Sequence, residues 1–248
     1  MSFGEHVEEL RRRLLWGLGT VAAIFLVAWL VFPTELQGLF LRPHFQAADA
    51  LAHHDPPIEV QRRLALHSPL EEVFYTLKVS TLAALILGLP VFLYHMWSFV
   101  AAGLYRHERR VVLRYLPWSL LLAFTGMAFG YFVLIPLVLE YLYSRPEPTL
   151  FLQAYRLDYY FSLFLLLTVA LALVFQLPLV MLGLDGAGLI GLDAFRRYRR
   201  HFILAAFVMG AVVTPPDPVS QVLMAAPSIV LYEFGILLLR LRRLRAAS

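Results

Sequence analysis

Residues 14–32 read LLWGLGTVAAIFLVAWLVF, and Arg11, Arg12 and Arg13 stand directly before them. The run carries no charge, and its length meets the roughly 20 apolar residues that a helix needs to cross a hydrocarbon core about 30 Å thick. A cleaved secretory leader would have a shorter apolar core, about 7–15 residues, closed by small residues. Here the run is longer, ends without an A-x-A pattern, and has Glu5, Glu8 and Glu9 crowding its head. A retained transmembrane helix is therefore expected.

Composition extends that expectation to the whole chain. Of 248 residues, 60% are hydrophobic and 15% charged, with a mean hydropathy of +0.71. Soluble domains average roughly 45–50% and 25%, so an ordinary water-soluble globule is excluded. Six apolar stretches would occupy about 120 positions, leaving modest loops and one polytopic membrane domain over residues 1–248. The chain has no cysteine, which excludes disulfides, thiolate metal sites and cysteine nucleophiles.

Outward from the first run, five more segments follow, giving spans at roughly 14–32, 70–101, 111–143, 159–184, 201–213 and 219–239. Positions 33–68 have mixed composition, with Pro43, His53, His54, Pro56 and Pro57, and are expected to form a long external loop. Ser68-Pro69-Leu70-Glu71 is a helix start: serine caps, proline fits the first turn, and glutamate can reach back. Gly88 and Pro90 predict a kink in the second span. The third span, with Pro117 and Pro136, is long enough to require a tilt or bend. The fourth is expected to start after Asp158 as its cap and carries Gln176 and Pro178. The fifth offers only about a dozen apolar residues before Thr214-Pro215-Pro216-Asp217-Pro218. It is either a re-entrant segment or, the favoured alternative, a crossing where the bilayer thins.

Charge assigns the sides. Fifteen of the twenty-one basic residues lie in the head, in the connections around Arg106–Arg114 and Arg196–Arg200, and in the tail from Arg240. By the positive-inside rule both termini are expected in the cytoplasm, with an even number of crossings.

Few residues suggest chemistry. No serine sits in a nucleophile motif, and the adjacent His53-His54-Asp55 lacks the spacing of a metal site, so no catalytic residue, metal or cofactor is expected. An intramembrane hydrolase and a secondary transporter of a small solute are the rival classes. Glu9 and Glu108 sit among arginines beside apolar spans. Taken from spacing alone they favour surface ion pairs, such as Glu9 with Arg13, over a receptor for a cationic peptide. Gln176, Gln221, His95 and Glu233 interrupt apolar helices and must find partners inside the protein.

Several motifs recur in order: His6-x-x-Glu9-Leu10-Arg11-x-Arg13-Leu14, Ser68-Pro69-x-Glu71-x-x-Phe74-x-x-x-Lys78, Pro90-x-x-x-Tyr94-x-x-Trp97-x-Phe99 and Gly103-Leu104-Tyr105-x-x-Glu108-Arg109-Arg110. Gly126-Met127-x-Phe129-x-Tyr131-Phe132, Phe175-Gln176-x-Pro178, Thr214-Pro215-x-Asp217-x-x-Ser220-Gln221, Pro227 and Leu231-Tyr232-Glu233 follow. Together they resemble the TatC subunit of the twin-arginine protein translocase over nearly the whole chain. The resemblance implies an all-α integral membrane protein whose six kinked transmembrane helices form a cup-shaped bundle with two short final helices. It implies a non-enzymatic receptor in the cytoplasmic (inner) membrane that binds twin-arginine signal peptides and exports folded proteins, driven by the proton-motive force.

By the same resemblance, Glu9 and Glu108, with Arg11, Arg13, Phe99, Arg109 and Arg110, bind the signal peptide. Gln176, Val208, Thr214 and Gln221 belong to intramembrane contacts that dock single-span TatA or TatB partners. Pro43, Phe74 and Asp217 fall at outer-face positions. A homo-oligomer and contacts with membrane lipids are further expectations, and no nucleic acid is. The chain departs from the family's usual glutamine at His95, proline at Ala102 and glutamate at Gln176.

Overall fold

Proline, glycine and arginine punctuate an otherwise apolar chain, and helices fill the intervals between them. In the computed structural model the described residues are 3–54, 57, 58, 60, 61, 63–66, 68–102, 106–145, 155–186, 188–215 and 217–247. Among them the chain forms ten α-helices and one π-helical turn. In order these are α1 (Phe3–Val31), α2 (Pro33–Ala52), α3 (Pro69–Ala102), α4 (Arg106–Phe129), the π turn (Gly130–Leu134) and α5 (Ile135–Tyr143). Then come α6 (Leu157–Val174), α7 (Leu177–Gly186), α8 (Leu192–Arg197), α9 (Arg199–Val213) and α10 (Pro218–Ala247). The fold is all-helical, an integral membrane architecture of apolar helices.

Four stretches are long and apolar enough to cross a bilayer: Leu70–Phe92, Leu116–Tyr143, Leu157–Gly186 and Pro218–Leu244. The apolar part of α1, Leu15–Val31, turns by 95° into α2. α9 has 15 residues. At 1.5 Å per residue it is about 22 Å long, below the thickness of the hydrocarbon core.

Four expectations change. The segment expected to form an external loop contains a 20-residue helix, α2. Its buried residues Phe40, Pro43, His44, Ala47, Ala48 and Leu51 recur at helical spacing, and the polar residues between them disguised that period. The third run is interrupted by the π turn, where the Ile135 amide donates to the Gly130 carbonyl directly before Pro136. Proline supplies no amide of its own, so a widened turn at that point leaves fewer carbonyls stranded. α6 begins at Leu157 with Arg156 as its cap residue, two residues ahead of the expected Asp158. Finally, α9 is short as expected, whereas α10 runs 30 residues because its arginine-rich end continues as helix beyond the apolar run. The Ser68 start is as read: its Oγ accepts the Leu70 amide at 3.3 Å.

The chain divides into two compact units. Unit 1 comprises residues 1–42 and 66–121. In it α1 lies along α3, with Gly88 facing Val21, and the Gln37 amide donates to Thr76 Oγ1 at 2.6 Å. Unit 2 comprises residues 43–65 and 122–248. There α4 and the π turn approach α6 through Gly126 and Gly130, the small-xxx-small spacing that brings membrane helices close. A side-chain carbon at Gly126 would stand 2.8 Å from the Leu171 carbonyl oxygen. A second core joins α7, α8 and α10 through Met181, Leu192, Phe195, Tyr232, Ile236 and Leu239, with Phe202 of α9 packed against it.

Candidate functional site

In unit 1, the head of α1 presents charge and an aromatic side by side. Arg11 faces Glu8 at 3.7 Å on the same helix, and both side chains are exposed. Such a pair contributes little, because water screens it and two long side chains lose freedom to form it. A pocket of about 510 Å³ is lined by Glu8, Arg11, Arg12, Leu15, Trp16 and Gly19, joining guanidinium, carboxylate and indole on one helix. Phe74, near the start of α3, is exposed. The side chains of Glu9, Arg13, Phe99, Glu108, Arg109 and Arg110 lie outside the described residues.

In unit 2 the sequence candidates converge on Gly210. Proline at 215, 216 and 218 forbids a continuous helix, so α9 stops and α10 returns beside it. Thr214 closes α9: its amide and its Oγ1 both donate to the Gly210 carbonyl, at 2.8 and 2.9 Å. Asp217 opens α10, with Oδ1 accepting the Ser220 amide at 2.7 Å in N-cap geometry. Gln221 then crosses to α9, its Nε2 donating to the Phe207 carbonyl at 2.9 Å. The absent side chain of Gly210 permits this approach, since a carbon there would come within 2.9 Å of the Gln221 carbonyl oxygen.

The amide donor of Gln221 thus braces α9 from within the hairpin. The other face of α9 is apolar and open: Leu204, Val208 and Val212, four residues apart, are 65%, 56% and 77% exposed. Gln176 stands at the junction of α6 and α7, half-buried, where its carbonyl accepts both the Leu179 and Val180 amides at 3.0 Å. Pro43 is buried within α2.

Three polar relationships escaped the sequence. Glu233 pairs with Arg199 at 2.7 Å across α9 and α10, although Arg240 is closer along the chain. Arg242 and Arg243 reach Asp185 at 3.8 and 3.5 Å, and Arg243 also reaches Asp193 at 3.3 Å, tying the end of α10 to α7 and α8. His44, fully buried, shares a hydrogen bond with the Tyr143 hydroxyl at 2.9 Å. Tyr143 in turn lies 4.2 Å from the Tyr155 ring, and burial pushes the Tyr155 hydroxyl above its usual pKa. An acid in an apolar helix does call for a cation. Nothing in the sequence spacing says which one, because the pairs span 34 to 58 residues. Among the described residues no three His, Asp or Glu side chains gather as a metal site would require.

The arrangement of helices and motifs has close counterparts. The family described as Sec-independent protein translocase protein (TatC) matches residues 5–227. A TatC of Halothiobacillus neapolitanus is 37% identical over 96% of this chain, which spans 62% of that relative's length. A TatC of Aquifex aeolicus is 35% identical over 96% of this chain and 94% of its own. The solved structure described as the twin arginine translocase receptor TatC in DDM superimposes with a TM-score of 0.77 at 33% identity, covering 94% of this chain and 99% of that one. The chain is a multi-pass membrane protein and belongs to the TatC family of Sec-independent protein translocase proteins.

Proposed function

We propose that this chain is the receptor and core subunit of a twin-arginine translocase, binding signal peptides with consecutive arginines and passing folded proteins across the cytoplasmic (inner) membrane. It binds and hands on its cargo without reacting with it, and the proton-motive force drives transport. The observation that carries this is the family match over residues 5–227, a range that includes both Glu9 and Glu108. Both termini face the cytoplasm, the basic connections lie on that side, and the six spans act as one membrane domain.

Two carboxylates suit the task. Guanidinium presents a planar fork of donors that fits a carboxylate edge, whereas lysine offers a point charge. Glu9 and Glu108 accept the arginine pair, and Phe99, Arg11, Arg13, Arg109 and Arg110 complete the signal-peptide site. On the α9–α10 hairpin, the exposed stripe through Val208 docks a single-span TatA or TatB subunit. Thr214 and Gln221 hold that stripe straight, and Gln176 adds a polar intramembrane contact. Pro43, Phe74 and Asp217 shape the outer face.

The test is affinity for a twin-arginine peptide in Glu9→Gln and Glu108→Gln. A charge-assisted hydrogen bond contributes about 1.5–3 kcal/mol, so each variant should bind about tenfold or more weakly. A Lys-Lys peptide should bind poorly to the unaltered protein. Unchanged affinity in both variants would remove these residues from the site. Solute uptake into liposomes by the chain alone would favour a secondary transporter instead.

A further inference from the structure

One end of unit 2 carries more positive charge than its own carboxylates neutralise. α8 and the start of α9 run beside the close of α10 in the opposite direction. Asp193 meets Arg243 at 3.3 Å, the Tyr232 hydroxyl donates to the Phe195 carbonyl at 2.7 Å, and Arg199 meets Glu233 at 2.7 Å. Residues 193–200 are therefore level with 233–243. Every acid of this region is engaged: Asp185 with Arg242 and Arg243, Asp193 with Arg243, and Glu233 with Arg199. Arg196, Arg197, Arg200 and Arg240 are exposed, and none has an ion pair among the described residues.

The membrane fixes their depth. α10 leaves its apolar run at Leu239 and Arg240 follows at once, while Arg200 lies two positions before Phe202, where α9 turns apolar. At 1.5 Å per residue the backbone of Arg240 lies about 2 Å past the last apolar residue of α10 and that of Arg200 about 3 Å before the first of α9, so both side chains reach a headgroup layer roughly 5–8 Å thick. Tyr198 is exposed in the same region, an aromatic of the kind enriched at membrane–water interfaces.

We propose that this surface binds the phosphate headgroup of an anionic glycerophospholipid, with Arg196, Arg197, Arg200 and Arg240 as its ligands. Guanidinium takes phosphate through paired hydrogen bonds, and the phosphate supplies the negative charge that the fold itself does not. The arrangement favours lipid over an acidic protein segment because the four arginines border the apolar stretches of α9 and α10, where a headgroup is always present. The Asp185 and Asp193 contacts keep α8 against α10 and so hold the site's two sides together.

The experiment is native mass spectrometry of the full chain released from nanodiscs containing phosphatidylglycerol and phosphatidylcholine. Three proteins are compared: unaltered, the combined Arg196→Gln, Arg197→Gln, Arg200→Gln and Arg240→Gln variant, and a control carrying Arg42→Gln, Arg145→Gln and Arg156→Gln. Helical content by circular dichroism certifies folding, and Arg199, Arg242 and Arg243 are untouched so that the ion pairs remain. The expected result is preferential retention of phosphatidylglycerol, lowered about tenfold in the four-site variant and unchanged in the control. Equal retention in the four-site variant, or an equal loss in the control, would overturn the proposal. Displacement of the lipid by millimolar inorganic phosphate would reduce the surface to a general anion site. Displacement by polyglutamate would assign it to an acidic protein, and either result would overturn the lipid assignment.

Discussion

The Arg199 guanidinium donates to the Glu233 carboxylate at 2.7 Å, joining the first turn of α9 to the middle of α10. The two side chains are 49% and 39% exposed, so their attraction is discounted for solvent. A double-mutant cycle with Arg199→Gln and Glu233→Gln should give a coupling of about 0.5–1 kcal/mol. Thermal unfolding in one detergent measures it. A coupling of zero would mean that the contact holds no helix in place.

Gly126 and Gly183 should respond in opposite ways to alanine. A carbon at Gly126 would meet the Leu171 carbonyl and the Phe175 ring, each at 2.8 Å, so Gly126→Ala must push α4 from α6 at a cost of about 1–3 kcal/mol. Gly183 has nothing within 4 Å, and Gly183→Ala should stabilise α7 by up to about 1 kcal/mol through helix propensity. Unfolding midpoints of the two variants would show the contrast, and a matched shift would contradict the close approach.

Asp217 separates capping from charge. Asp217→Ala removes the acceptor of the Ser220 amide and should cost about 0.5–2 kcal/mol, whereas Asp217→Asn keeps an acceptor and should stay within a few tenths of the unaltered protein. If export fails in Asp217→Asn while its stability is retained, the carboxylate itself acts in transport.

Tyr232→Phe leaves the Phe195 carbonyl without its hydroxyl donor inside the α7, α8 and α10 core. The expected loss is about 1–3 kcal/mol, the penalty of a buried unpaired acceptor. The parallel stack of the ring on Phe202, at 4.0 Å between centroids, should survive. A neutral result would indicate that water replaces the hydroxyl.

Val208→Asp places a charge in the centre of the exposed α9 stripe, away from the Gln221 contact on Phe207. Copurification of a TatA- or TatB-type subunit should fall to background, while Val208→Leu should retain it. Normal copurification with the aspartate variant would move docking to another helix.

The sequence revealed spans and breaks where physics acts locally. Ser68 as a start, the prolines after Thr214 and the shortness of α9 are properties of a few adjacent residues. α2 was hidden because Arg42, Pro43 and Asp49 average away an apolar stripe visible only at helical spacing. The π turn stayed hidden because it pairs the Ile135 amide, next to the missing amide of Pro136, with the Gly130 carbonyl five residues before Ile135. Of the candidate site, Thr214, Asp217 and Gln221 were found as polar interruptions, yet their meeting at Gly210 depends on how two helices cross. Glu233 was visible as an acid needing a partner, and its nearest arginine in sequence was not the one it took.

The ties from Arg242 and Arg243 to Asp185 and Asp193 also bear on how the chain is made. The acidic partners leave the ribosome 50 or more residues before the arginines that hold them. Until Arg242 and Arg243 have emerged, Asp185 at the end of α7 and Asp193 in α8 have no electrostatic anchor on α10, and only the apolar contacts of Tyr232, Ile236 and Leu239 with Leu192 and Phe195 hold these helices. Interruption of synthesis before residue 242 would therefore leave a loosely fastened product, one that a membrane protease could tell apart from the finished fold.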